Sequence, residues 1–231
     1  MDRFMLYYAS AIVIVPAMIF SIICQIMVKS RYRKFAQIHN ARGLSGAQAA
    51  ARLLQINGVN DVRIELSNNG ELSDHYDPRG NVIRLSPDVY HGTSIAAVGI
   101  ACHEAGHACQ YAKNYFPIKI RSAIIPITNF GSAIGFPLAI FGLMLNFGIL
   151  VDIGIALYAM VAVFQLITLP VEFNASSRAL KCIKENMLLD ESEYKSARSV
   201  LTAAALTYVA ALITALASLL RLLLIANRRN D

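Results

Sequence analysis

Four uninterrupted apolar runs, roughly Phe4 to Met27, Ala123 to Leu145, Ile149 to Leu169 and Val200 to Leu220, constrain this chain more than any other feature. The hydrocarbon core of a bilayer is about 30 Å thick and needs about 20 helical residues to cross it, and each run meets that length. Because that layer holds no water, a spanning segment must satisfy its own backbone polar groups, and runs of this kind do so as helices. Hydrophobic residues make up 56% of the 231 and charged ones only 16%, which excludes an ordinary soluble globule. The first run is longer than the roughly 7–15 apolar residues of a signal peptide and ends in Lys29, Arg31, Arg33 and Lys34 rather than a cleavage site, so it reads as a retained anchor.

Charge then orients the spans. All of the 21 Lys and Arg except Arg3, Arg221, Arg228 and Arg229 fall in the two polar stretches, Val28 to Ser122 and Val171 to Arg198. The positive-inside rule places both stretches in the cytoplasm and both termini outside, in a multi-pass plasma-membrane protein. Arg221, Arg228 and Arg229 sit at an end expected to be external, which an interfacial tail or snorkelling side chains would accommodate. The net charge of +6 is explained by orientation and by anionic lipid. Without a basic-aromatic platform or a recognition motif, a nucleic-acid partner is not expected. Cys24, Cys102, Cys109 and Cys182 form no C-x-x-C pair, and a cytoplasmic face disfavours disulfides, so all four read as small buried residues.

Within the first polar stretch, Ser45 and Gln48 make a capping box and Asn57-Gly58 a stop, predicting a helix over 46–57. Val62 to Leu66 alternates apolar and polar, and Asn81 to Ser86 forms a second strand candidate, with turns at Asn68-Asn69-Gly70 and Asp77 to Gly80. Thr93 or Ser94 can cap a further helix from Ile95 to about Lys113.

That last helix carries His103-Glu104-Ala105-Gly106-His107. Two His four residues apart lie about 40° apart around a helix, so their imidazoles converge on one ion, with Glu104 beside them as the base for a water. A catalytic zinc usually takes three protein groups and keeps one position open, so a third group must come from elsewhere. Glu172, Glu185, Asp190, Glu191 and Glu193 are the downstream acids, and Glu172 stands out because it follows Pro170 at the end of the third run, where proline would open a new helix. The later acids read as solvated surface. Asp74, Asp77, Asp88 or a backbone carbonyl could orient an imidazole, Arg178 could support an oxyanion or Glu172, and the strand Asn81 to Ser86 could offer an edge to a peptide. His75 and His91, with Tyr76, Tyr90 and Tyr111, are further candidate donors to a reacting group.

At Asp74 to Pro78, Val82 to Pro87, Ala101 to Ala108 and Leu169 to Phe173 the chain resembles the bacterial membrane zinc metallopeptidases, and the resemblance runs through most of its length. More distantly it is similar to membrane proteases that mature prenylated peptides, which carry E-F-x-A-D where this chain has Glu172-Phe173-Asn174-Ala175-Ser176; Ser176 replaces the Asp. The resemblance implies a mainly α membrane protein with about four transmembrane helices and a small α+β, zincin-like catalytic region whose short sheet precedes the HEAGH helix. It divides the chain into an anchor at 4–27, a catalytic region at 28–122, two spans within 123–169, a cytoplasmic helix at 170–199 and a last span at 200–220. It implies one Zn2+ per chain held by His103, His107 and Glu172, Glu104 as general base, and a peptide or protein substrate met at the cytoplasmic membrane surface. The competing reading is a non-catalytic membrane scaffold or transporter with a structural metal site. Asp152, near the start of the third run, and Arg221, just past the end of the fourth, are the only charged candidates for a transport path.

Overall fold

A computed structural model describes residues 3–68, 70 and 73–227, with side chains from Ile12 onward. Asn69 of the expected turn and the terminal Arg228 and Arg229 lie outside the described residues. The elements run α1 (Arg3–Ala36), α2 (Gly46–Ile56), β1 (Arg63–Leu66), β2 (His75–Asp77), β3 (Val82–Leu85), α3 (Pro87–Tyr90), α4 (Ile95–Ala112), α5 (Phe116–Met144), α6 (Gly148–Glu185) and α7 (Glu191–Asn227). Four of these helices, α1, α5, α6 and α7, are long and apolar enough to cross a membrane. Each is longer than the apolar run that predicted it, because polar helix-forming residues extend it past the hydrophobic stretch.

The chain divides into two compact units. One comprises Met1–Gln25, Ile120–Pro170 and Thr207–Asp231. In it α5 and α6 form an antiparallel pair joined by the tight turn Leu145–Phe147, where Asn146 takes a positive φ of 53°. Glycine permits their close approach: a Cβ on Gly135 would stand 2.8 Å from the backbone nitrogen of Tyr158. Small residues at such seams let helices pack where no hydrophobic force drives them together in lipid. Phe141, Met144, Leu145 and Ile149 are all more than half exposed, an apolar surface suited to lipid rather than water.

The other unit comprises Ile26–Lys119 and Val171–Leu206. Its centre is α4, buried along most of its length and capped by Ser94, whose hydroxyl accepts from the Ala97 N–H at 3.1 Å. Leu53 and Leu54 of α2, Ile83 and Leu85 of β3 and Ile183 of α6 join it in one hydrophobic cluster. The capping box read from Ser45 and Gln48 is present at the start of α2.

The sheet has the order β1-β3-β2, with β1 and β3 parallel and β2 antiparallel to β3. Three expectations are corrected. Asn81 to Ser86 supplies the central strand, paired on both sides, and so has no free edge; the edge strands are β1 and β2, the latter a three-residue strand in which no alternation was legible. Pro170 opens no helix but lies inside α6. Glu193 is also no solvated acid: it is buried, accepting from the N–H of Asp190 at 2.9 Å and of Ala41 at 2.6 Å, while Asp190 caps the start of α7.

Candidate metal centre

On α4 the His103 and His107 rings stand one turn apart, centroids 4.7 Å apart and nearly perpendicular. Glu172, on α6, is 2% exposed, and its Oε2 lies 3.2 Å from Nε2 of His103 and 3.4 Å from Nε2 of His107. Zinc bonds of about 2.0–2.2 Å in a tetrahedron put neighbouring donor atoms about 3.3–3.6 Å apart, close to the separations of Glu172 from each imidazole. Among the described residues this is the one group of three or more such side chains with donors gathered closely enough for a shared ion. Cys102 is not in it, and complete burial pushes its thiol further from ionisation.

Gly106 explains why the two helices can meet. A Cβ there would stand 2.7 Å from the backbone oxygen of Ala175, so at the glycine of HEAGH the α6 backbone lies close against α4. Glu172 and Ser176, either side of that contact on successive turns of α6, are thereby brought to the His pair.

Each imidazole is held from behind. Nδ1 of His103 is 3.1 Å from the Ser176 hydroxyl, and Nδ1 of His107 is 2.9 Å from Oε1 of Gln110. Bonds of this kind leave Nε2 of each ring directed to a metal and fix the ring plane. The partners are thus Ser176 and Gln110, where the sequence left Asp74, Asp77, Asp88 or a backbone carbonyl open. Asp74 accepts from Ser86, Asp77 pairs with Arg84 at 2.9 Å, and Asp88 lines a separate cavity of about 410 Å³ with His39 and His91. Gln110 was missed, although its place three residues after His107 puts it on the same helix face. Ser176 was flagged only as a departure from a distant pattern.

Glu104 is buried and faces β2, its Oε2 accepting from the Tyr76 N–H at 3.0 Å. Burial raises its pKa, an effect that His103 and His107 partly oppose. Burial pulls the His107 pKa down, but the hydrogen bond to Glu172 and the adjoining carboxylates more than offset it. Among the other candidate donors, the Tyr76 ring packs on Tyr111 with centroids 5.4 Å apart and His75 Nδ1 bonds the Ser73 carbonyl at 2.7 Å. Arg178 donates to Asn174.

The model of a family described as "Putative neutral zinc metallopeptidase" matches residues 10–227 of the chain. The chain is 43% identical over 201 residues to the "Putative membrane protease YugP" of Bacillus subtilis (strain 168), an alignment that covers 87% of this chain and 89% of that protein. No solved structure matches the chain.

Proposed function

The chain belongs to the neutral zinc metallopeptidase family, and we propose that it is an integral-membrane endopeptidase in which His103, His107 and Glu172 hold one Zn2+ and Glu104 is the general base. The observation that carries this reading is the convergence of two imidazole nitrogens on one carboxylate oxygen, each close to a tetrahedral-edge distance from it, beside a buried glutamate. When bound, zinc supplies Lewis acidity to the scissile carbonyl and makes water a stronger acid.

The chain's own residues do the rest. The Tyr76 N–H holds one oxygen of Glu104 and leaves Oε1 to take a proton from the attacking water and return it to the leaving amine. A buried carboxyl whose pKa is raised is better matched to that exchange than an exposed one. The peptide is held along the outer edge of β2. There the Tyr76 N–H points away from β3 towards Glu104, so the Tyr76 carbonyl on the same edge is left to accept from a substrate N–H.

Family membership and an intact Glu104 both weigh against the scaffold or transporter reading, since a purely structural metal needs no base. The basic residues of the polar stretches favour a cytoplasmic catalytic region. Reporter fusions at Gly70 and Glu185 should both report cytoplasm, and an external report from either would reverse that orientation. The test of function is to compare membrane and cytosolic peptides in cells carrying wild type or Glu104→Gln. Specific peptides should accumulate in the variant, which keeps its zinc; wild-type turnover by Glu104→Gln would remove Glu104 as base.

A further inference from the structure

Beyond the imidazole of His107 runs a chain of hydrogen bonds with a fixed direction. The guanidinium Nε of Arg178 donates to Oδ1 of Asn174 at 2.7 Å. That same oxygen accepts from Nε2 of Gln110 at 3.0 Å, and Nε2 also donates to the main-chain carbonyl of Val171 at 2.8 Å. The other end of the Gln110 amide, Oε1, lies 2.9 Å from Nδ1 of His107.

Each link leaves the next no choice. A guanidinium has donors and no acceptor, so the atom of Asn174 that faces Arg178 must be its oxygen. An oxygen there demands an N–H from Gln110, as does the carbonyl of Val171, so the amide cannot be turned over. Its Oε1 must then face His107, and an amide oxygen only accepts. Nδ1 must therefore carry a proton for Gln110 to accept, which fixes the ring plane and points Nε2 at Glu172.

The chain also joins the two halves of the site. Gln110 is fully buried, belongs to α4 with the His pair, and bonds the carbonyl of the residue immediately before Glu172 on α6. One amide therefore holds both the ring of one candidate zinc-binding group and the backbone next to another. We propose that Gln110 is the positioning residue that couples His107 to Glu172, with Asn174 and Arg178 setting the polarity of its amide from outside. The proposal rests on the zinc-site reading above, yet its first consequence is visible without metal.

The test uses full-length protein in detergent or nanodiscs with histidine labelled with 15N. In metal-free wild type Nδ1 of His107 should carry a proton bonded to Gln110, seen as a slowly exchanging 15N–1H signal; Gln110→Leu, similar in size and unable to accept, should lose it. Zinc titration should then show affinity falling about 10–100-fold in Gln110→Leu, the range typical for loss of a group supporting a metal-bound histidine. Arg178→Met, at the partly exposed outer end, should give a smaller loss in the same direction and guards against a buried variant that fails to fold. An unchanged Nδ1–H signal in Gln110→Leu, or zinc affinity within twofold of wild type in both variants, overturns the proposal. Metal-free wild type with the predicted Nδ1–H signal but no zinc binding would instead overturn the metal-site reading and leave the Nδ1 assignment standing.

Discussion

Gly106 and Ala175 are in contact where a single added methyl would not fit: a Cβ at Gly106 would lie 2.7 Å from the Ala175 backbone oxygen. The obstruction is main chain, which cannot swing aside as a side-chain tip can. The spacing between α4 and α6, and with it the reach of Glu172 to the His pair, therefore depends on the absence of a side chain at one position of HEAGH.

Gly106→Ala should separate the two helices. Overpacking of this kind costs about 1–3 kcal/mol. Thermal unfolding should show that loss, and zinc titration a weakening out of proportion to it, because the donor atoms themselves move apart. Wild-type zinc affinity in this variant would show that the approach of the helices does not set the site.

Ser176→Ala removes the partner of His103 Nδ1 while leaving both backbones in place. Zinc binding should weaken by roughly 10–100-fold with little change in unfolding temperature. Ser176→Asp, which installs the carboxylate that distantly similar proteases carry at this place, should bind zinc at least as tightly as wild type. Isothermal titration of the two variants separates loss of the hydrogen bond from a general disturbance.

Some of this was readable before any coordinates and some was not, for a physical reason. HEAGH, the Ser45–Gln48 capping box and the four apolar runs are local patterns in which sequence spacing fixes angular position, so they were legible. Glu172 was found because it closes an apolar run next to a proline, although Pro170 lies inside α6 and opens nothing. The groups behind the imidazoles were not found. Ser176 meets His103 across 73 residues, and Gln110 gains its meaning from Val171 across 61, distances at which no periodicity carries information. The strand β2 escaped because three residues are too few to show alternation, and its role is given by β3 on one side and Glu104 on the other.

Tyr76 gives the region a signature at alkaline pH. Its phenol donates to Asn81 at 2.7 Å, and burial, reinforced by Tyr111 and by Asp61 and Asp77, pushes its pKa to about 12 from the model-compound value of 10.0. The folded chain thus keeps this proton where the unfolded chain gives it up. The associated stability is fully present below about pH 10 and is lost as pH rises towards 12. Unfolding followed across that window should fall more steeply in wild type than in Tyr76→Phe. Parallel curves would mean that the phenol titrates alike in both states.

The claim on which the rest depends is that Glu172 completes a metal site with His103 and His107, and the zinc content of purified protein tests it most directly. Wild type and Glu104→Gln should each carry about one zinc per chain, while His103→Ala and Glu172→Ala, still folded by circular dichroism, should carry almost none. Zinc retained at full stoichiometry by Glu172→Ala, or absent from wild type purified without chelator, would contradict it.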